Sequence, residues 1–201
     1  MQFNINQLNN QDRYRLLNGG VTPRPIAWVS SCSADGVDNL APYSFFTVAS
    51  CTPPVLLFTT VMPRDGALKD SLQNIKATKS CVVNIVPYEL LSVMSATSAS
   101  LANNVSEFEI AGVEACKSAT VDALSVAGAP VRYECTLREI IQIADTPGAG
   151  TMTLLDVQSV YVRDGLCTDG VIDQTMINSV GKMGGDSYVF TGKVTELVRP
   201  A

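Results

Sequence analysis

Two stretches carry most of the side chains whose chemistry can serve a ligand: Pro23-Arg24-Pro25-Ile26-Ala27-Trp28-Val29-Ser30-Ser31 and, after a turn, Asn39-Leu40-Ala41-Pro42-Tyr43-Ser44-Phe45-Phe46. They gather small polar groups and backbone amides beside aromatic rings, a combination suited to a planar, phosphorylated molecule. Ser30, Ser31 and Ser33 offer hydroxyl and amide donors at a strand end, although serine is equally ordinary in a turn. In the second stretch Pro42 fixes part of the chain and Ala41 permits close approach. Ser44 and free backbone groups can bond the edge of a heterocycle. Tyr43, Phe45 or Phe46 can pack against such a ring, or belong to the core as strand aromatics usually do.

Lys69-Asp70-Ser71 opens an expected helix, where amides, a hydroxyl and an ammonium group can meet an anion. Helix alignment alone contributes about 0.3–1 kcal/mol to such an arrangement. The competing reading is a capped surface helix. Arg24 and Arg64 suit a phosphate, an acidic substrate or a surface ion pair, and sequence does not separate these roles. Lys182, in the glycine-rich run Gly181 to Ser187, faces either a second ligand or solvent. Asp35, Asp38, Asp70, Glu107 and Glu109 are scattered, with no spacing that makes a catalytic pair.

The chain contains no histidine. That counts against a nucleophilic triad, and no Gly-x-Ser-x-Gly, Walker or Rossmann pattern is present. Redox chemistry carried by a bound cofactor escapes this deficit, because the protein then has mainly to hold donor and acceptor in place. Six cysteines, at 32, 51, 81, 116, 135 and 167, form no CxxC pair, so no dedicated metal site is expected. Most of them are expected to fill apolar strand positions in a reducing cytoplasm.

Elements that would position these groups follow from pattern. An apolar strand runs from about Ile26 to Ser33, and Asp35-Gly36 turns it into a returning strand near Val37 to Leu40. Tyr43 to Cys51 is extended, and Val55 to Thr60 and Cys81 to Val86 are interior strands by their unbroken apolar, β-branched character. Asp70 to Ala77 is a short helix, and a weaker helical pattern covers Glu89 to Ala99. Residues 95–128 form an excursion over the barrel or at an interface. Val131 to Ile143 reads as a long bent strand, and Thr151 to Arg163 and Tyr188 to Val198 as two more. The leader before Gly19-Gly20 is polar and carries no expected element.

With 201 residues, 46% apolar and 16% charged, one full core is expected, in a single domain over residues 1–201. A net charge of −5 makes a nucleic-acid surface unexpected. No apolar span of membrane length occurs, and the polar start does not read as a signal peptide, so neither membrane nor export is expected. Antiparallel strands without covering helices must hide their edges. The expected fold is therefore all-β with short helices, a closed or nearly closed barrel with Greek-key-like connections.

Taken in order, Arg24 to Ser31, Asp35-Gly36, Asn39 to Phe46, Pro53-Pro54, Lys69-Asp70-Ser71 with Asn74-Ile75, Val83-Asn84, Ser106-Glu107-Phe108 and Gly112 resemble the flavin reductase-like family. Lys182-Met183-Gly184-Gly185-Asp186-Ser187-Tyr188 is similar to that family's closing motif, with Lys-Met in place of the usual Arg-Leu. Ser71 stands where Thr is common. The resemblance spans about residues 20 to 190 and implies an FMN-binding split β-barrel.

It further implies that Ser30, Ser31, Lys69 and Ser71 lie near the FMN phosphate, with Asn74 supporting that loop. Asn39, Ala41, Pro42, Tyr43, Ser44 and Phe45 would line the isoalloxazine. The implied activity is an NAD(P)H:flavin oxidoreductase, with NADH or NADPH as donor, a homodimer, and a possible partner monooxygenase or redox protein. The alternative is an FMN electron-transfer or specialised biosynthetic redox protein that does not use nicotinamide directly.

Overall fold

The computed structural model describes residues 1–200. Fourteen strands and five α-helices follow in chain order: α1 (Asn10–Gly20), β1 (Arg24–Pro25), β2 (Ala27–Cys32), β3 (Asp38–Tyr43), β4 (Phe46–Cys51), β5 (Pro54–Val61), α2 (Asp70–Thr78) and β6 (Ser80–Ile85). Then come α3 (Leu91–Ala96), α4 (Glu107–Ile110), β7 (Ala115–Cys116), β8 (Ser125–Val126), β9 (Val131–Gln142) and β10 (Gly150–Val162). The chain closes with β11 (Cys167–Thr168), β12 (Val171–Ile172), α5 (Gln174–Ile177), β13 (Val180–Lys182) and β14 (Tyr188–Phe190).

Seven strands form one antiparallel sheet in the order β3-β2-β6-β9-β10-β5-β4. Neighbours that are not consecutive, β2 with β6, β6 with β9 and β10 with β5, give it Greek-key-like connections. The two edge strands, β3 and β4, are joined through Ser44 and Phe45, and the Phe45 carbonyl accepts a hydrogen bond from Thr59 N at 2.8 Å. The sheet thus curls back towards itself without a ladder between β3 and β4, which is what makes the barrel split. Register shifts between Leu154 and Leu155 and between Val157 and Ser159 interrupt the β9–β10 ladder, and such irregularities bend long strands.

Strand β2 is buried on both faces. Trp28 packs with Ile26, Leu40, Val86, Met94, Phe108 and Val126 in one cluster, and Val29 with Phe58, Ile75, Val83, Cys135 and Leu155 in another. That explains the apolar run Ile26 to Val29, since a strand covered on both sides needs no polar face, while the buried Ser30 and Ser31 that follow must find partners inside the protein. The turn after β2 closes through Ser33, whose amide donates to Val37 O and whose hydroxyl accepts from Val37 N. Gly36 there has φ +85°, a left-handed conformation that glycine adopts without steric cost.

Two expectations need correction. The polar leader contains a full helix, α1, capped by Asn9, whose side-chain oxygen accepts from Asp12 N. Its apolar residues face outward, Leu17 and Tyr14 among them, so no buried stripe marks it in the sequence. The final strand stops at Phe190 because its partner, β13, offers only three residues for pairing. The weak helical pattern before residue 99 resolves into a 3-10 turn at Tyr88–Leu90 followed by α3. No helix among the described residues is long and apolar enough to cross a membrane.

Candidate functional site

Strand β2 alternates sides, and Ser30 and Ser31 therefore part company. Ser30 is fully buried; its hydroxyl donates to Leu124 O and accepts from Asn84 Nδ2 at 3.1 Å. Both hydroxyl functions are satisfied within the protein, so the Ser30 side chain stands apart from the other candidates. Ser31, on the opposite face, accepts from Asn74 Nδ2 at 3.2 Å and donates to Asn39 Oδ1 at 3.4 Å. Its cross-strand partner in the register is Asn39 itself.

Asn39 is the node of the cluster. Its Oδ1 also accepts the Ser71 hydroxyl at 2.6 Å, while its Nδ2 donates to Glu107 Oε2 at 2.9 Å. The Tyr43 hydroxyl donates to Ser71 Oγ at 3.1 Å, and its ring packs on Phe58 with centroids 5.0 Å apart. Burial pushes the Tyr43 hydroxyl pKa up to about 12, with the Ser71 hydrogen bond pulling the other way. Ser31, Asn39, Tyr43, Ser71, Asn74 and Glu107 thus form one continuous polar network spanning β2, β3, α2 and α4.

Above this network lies a cleft of about 360 Å³. Asn39, Ala41, Pro42, Tyr43, Lys69 and Ser71 line one side, and the segment from Thr97 to Leu101 the other. A second cleft of about 380 Å³ adjoins it and shares Asn39, Asp70 and Asn103, with Ser33 and Asn74 on its wall. Both volumes fall in the usual range for small-molecule sites, about 300–1,000 Å³. Helix α2 starts at the first cleft. Lys69 N-caps it without a side-chain hydrogen bond, and its carbonyl accepts from Leu72 N and Gln73 N. The Asp70 and Ser71 amides have no acceptor among the described residues, leaving two donors directed by the helix start.

Ser44 and Phe45 lie off this cleft. Ser44 Oγ accepts from Arg24 Nε at 3.4 Å, and the guanidinium sits 5.9 Å from the Phe45 ring centroid. Arg24 is buried and donates to the carbonyls of Asn18, Val21 and Met183, tying the end of α1 to the glycine-rich loop. The structure gives it a role that was not among those expected, a backbone clamp, and no ion pair among the described residues. Arg64 makes no ion pair among the described residues. Lys182 lies 3.9 Å from the Tyr188 ring centroid, closing its own loop.

Glu107 is expected from sequence only as a scattered carboxylate and as part of Ser106-Glu107-Phe108, and its place in this network goes beyond that expectation. Its signal was local: an acidic residue directly before Phe108, a core residue, on a short segment folded over the barrel. The excursion of residues 95–128 indeed lies over the barrel, pinned where Trp28 Nε1 donates to Thr97 Oγ1 at 2.9 Å and Val126 N donates to Asn84 Oδ1 at 3.0 Å.

The sequence model of the flavin reductase like domain matches residues 19–175. This chain belongs to the flavin reductase-like family. An uncharacterised protein of Aquifex aeolicus is 34% identical over 190 residues, 94% of this chain and 95% of its own. Nitrilotriacetate monooxygenase component B from Bacillus cereus has a similar structure, with TM-score 0.93, 30% identity and 98% of each chain covered. The 2-nitrobenzoate 2-nitroreductase of Pseudomonas fluorescens superposes with TM-score 0.90 at 28% identity, over 100% of this chain and 96% of that one. The architecture is therefore the FMN-binding split barrel of this family, and the family-level activity is that of an FMN-dependent oxidoreductase.

Proposed function

We propose that this protein is an FMN-dependent NAD(P)H:flavin oxidoreductase whose cofactor occupies the cleft between β3, the start of α2 and the Thr97–Leu101 segment. The observation that carries this reading is the first turn of α2, whose N-cap Lys69 makes no side-chain hydrogen bond to it, opening onto the same cleft as Ala41, Pro42 and Tyr43. FMN joins a flat ring to a hydroxyl-rich chain and a phosphate, and the residues present fit all three parts. The free Asp70 and Ser71 amides, the Ser71 hydroxyl and the Lys69 ammonium suit the phosphate, with Ser31 and Asn74 holding that wall in shape. Ala41, Pro42 and Tyr43 offer a flat, mainly apolar face, and Asn39 a polar edge. Ser44 and Phe45 continue the same segment, fixed by Arg24.

When bound, FMN supplies hydride and electron exchange through its own ring system, so the absence of histidine is no obstacle. The chain's task is to bind, orient and shield. Its polar network restrains Asn39 and Ser71 through hydrogen bonds within the protein, which lowers the ordering cost of binding. The Thr97–Leu101 wall limits access of water from one side.

The same reading makes the protein a cytoplasmic homodimer with flavin near the subunit boundary. Reduced flavin or electrons would pass to a partner monooxygenase or redox protein. Likeness to a monooxygenase component supports the partner. The split edge between β3 and β4 supports a second copy, since an open sheet edge invites cover.

Anaerobic addition of NADH or NADPH to the FMN-loaded protein tests the reading: the yellow absorbance bleaches within seconds. FMN that binds stoichiometrically and never bleaches with either nucleotide, yet is reduced by a ferredoxin-like donor, refutes nicotinamide use and establishes an electron-transfer protein instead.

A further inference from the structure

Glu107 is 5% exposed, yet no Lys or Arg nitrogen among the described residues lies within ion-pair distance of it. Its hydrogen bonds are one-sided. Oε2 accepts both Asn39 Nδ2 and Leu40 N, each at 2.9 Å, while Oε1 receives none from the described residues. Glu107 is also among the residues lining the first cleft. A buried carboxylate ordinarily gathers several donors or a cation, because leaving its charge uncompensated is costly. Here one oxygen has spare accepting capacity, beside a space of ligand size.

We infer that Glu107 is a flavin-site residue with two functions. Oε2 positions Asn39, and Oε1 accepts a hydrogen bond from a hydroxyl or imide N–H of the bound flavin. Its charge also sets the site against the reduced, anionic form of the ring. The inference rests on the FMN reading of the cleft. Other charges line the same space: Lys69, Asp65 and Asp70. Lys69 and Asp65 are exposed and Asp70 partly so, and water and salt screen them. Glu107 is shielded from solvent, so its field reaches a bound ring with much less attenuation. Oxidised flavin carries no charge on its ring, whereas two-electron reduction at neutral pH leaves the ring negative. A fixed carboxylate therefore weakens binding of the reduced form more than of the oxidised form. The phosphate is common to both forms and cancels in their ratio.

The test is the ratio of FMN dissociation constants, reduced over oxidised, measured anaerobically for wild type, Glu107→Gln and Glu107→Asp, with folding checked by circular dichroism. Glu107→Gln lowers the ratio about tenfold, equivalent to a midpoint potential about 30 mV higher for a two-electron couple. Glu107→Asp keeps the charge but shortens the reach to Asn39 and Leu40, so both constants rise while their ratio stays near wild type. An unchanged ratio in folded Glu107→Gln overturns the inference and leaves Glu107 a structural residue. Should that variant fail to fold, a shifted ratio in Glu107→Asp overturns it equally. Wild-type protein that binds no FMN removes the reading of the cleft as well, which separates the two failures.

Discussion

The two faces of β2 start from the same materials and end differently. On one face Trp28 and Ser30 meet Thr97, Asn84 and Leu124, and the side-chain polar groups of Trp28, Ser30 and Asn84 all find partners within the protein. On the other face Ser31 meets Asn39, Asn74 and, through Asn39, Ser71 and Glu107. That second network ends in unused capacity: two helix amides and one carboxylate oxygen open to a cleft. Adjacent serines thus separate into a latch that holds the 95–128 excursion on the barrel and a wall that backs the cleft proposed for FMN. Buried polar groups that are fully satisfied rigidify a fold, whereas spare donors and acceptors at a cavity are what a ligand can use.

The largest effect should come from breaking the latch. Asn84 Nδ2 donates to Trp28 O and Ser30 Oγ, and its Oδ1 accepts from Val126 N. Asn84→Leu removes three buried hydrogen bonds and leaves Val126 N without its partner, and should destabilise the protein by about 3–5 kcal/mol in urea unfolding. The folded fraction should keep its affinity for FMN, and a selective loss of affinity without loss of stability would erase the distinction between the faces.

Next in size are opposite responses to pH. Tyr43, on the cleft side, has a folded pKa near 12, above the ordinary value of 10. Its contribution to stability is complete below about pH 10 and is lost as pH rises towards 12. Part of its surface remains open to the cleft, so the loss should be about 1–2 kcal/mol, less than the full linkage value. Tyr43→Phe removes that alkaline slope. On the latch side, burial works to raise the Glu134 pKa, but hydrogen bonds from Ala119 N, Thr120 Oγ1 and Thr120 N, with the Arg132 charge, hold it below its ordinary value of 4.5. Its stabilisation is present above that pH and is lost on acidification through the lower folded value. Glu134→Gln should flatten the acid limb of a stability–pH curve and leave the alkaline limb unchanged. The smallest effect is expected at Lys182, whose half-exposed contact with Tyr188 is worth about 0.5–1 kcal/mol, so Lys182→Ala should barely move a thermal midpoint.

Much of the barrel was legible because interior strands declare themselves by runs rich in apolar and β-branched residues, as in Val55 to Thr60 and Cys81 to Val86. The α2 start was legible for a different reason: Lys69-Asp70-Ser71 sits just before a short helical pattern. The partition of Ser30 from Ser31 was not legible in the residues alone, since both are serines in one strand and only the register decides which faces Asn39. Helix α1 was hidden because its apolar residues point outward. Glu107 was hidden because its partners lie 67 and 68 positions away in sequence, a distance over which spacing carries no information. The separation of Ser44 and Phe45 from Tyr43 depends on where β3 ends, and the chain bend there follows from the split edge.

The central claim is that FMN is held on the Ser31 face and not on the Ser30 face. The most direct test titrates FMN, by quenching of its fluorescence, into wild type, Ser30→Ala and the double variant Lys69→Ala with Ser71→Ala. The account predicts an unchanged dissociation constant for Ser30→Ala and a rise of about tenfold to a hundredfold for the double variant, the loss of roughly one or two charge-assisted hydrogen bonds. Equal affinity of the double variant and wild type, or a comparable loss in Ser30→Ala, would contradict it.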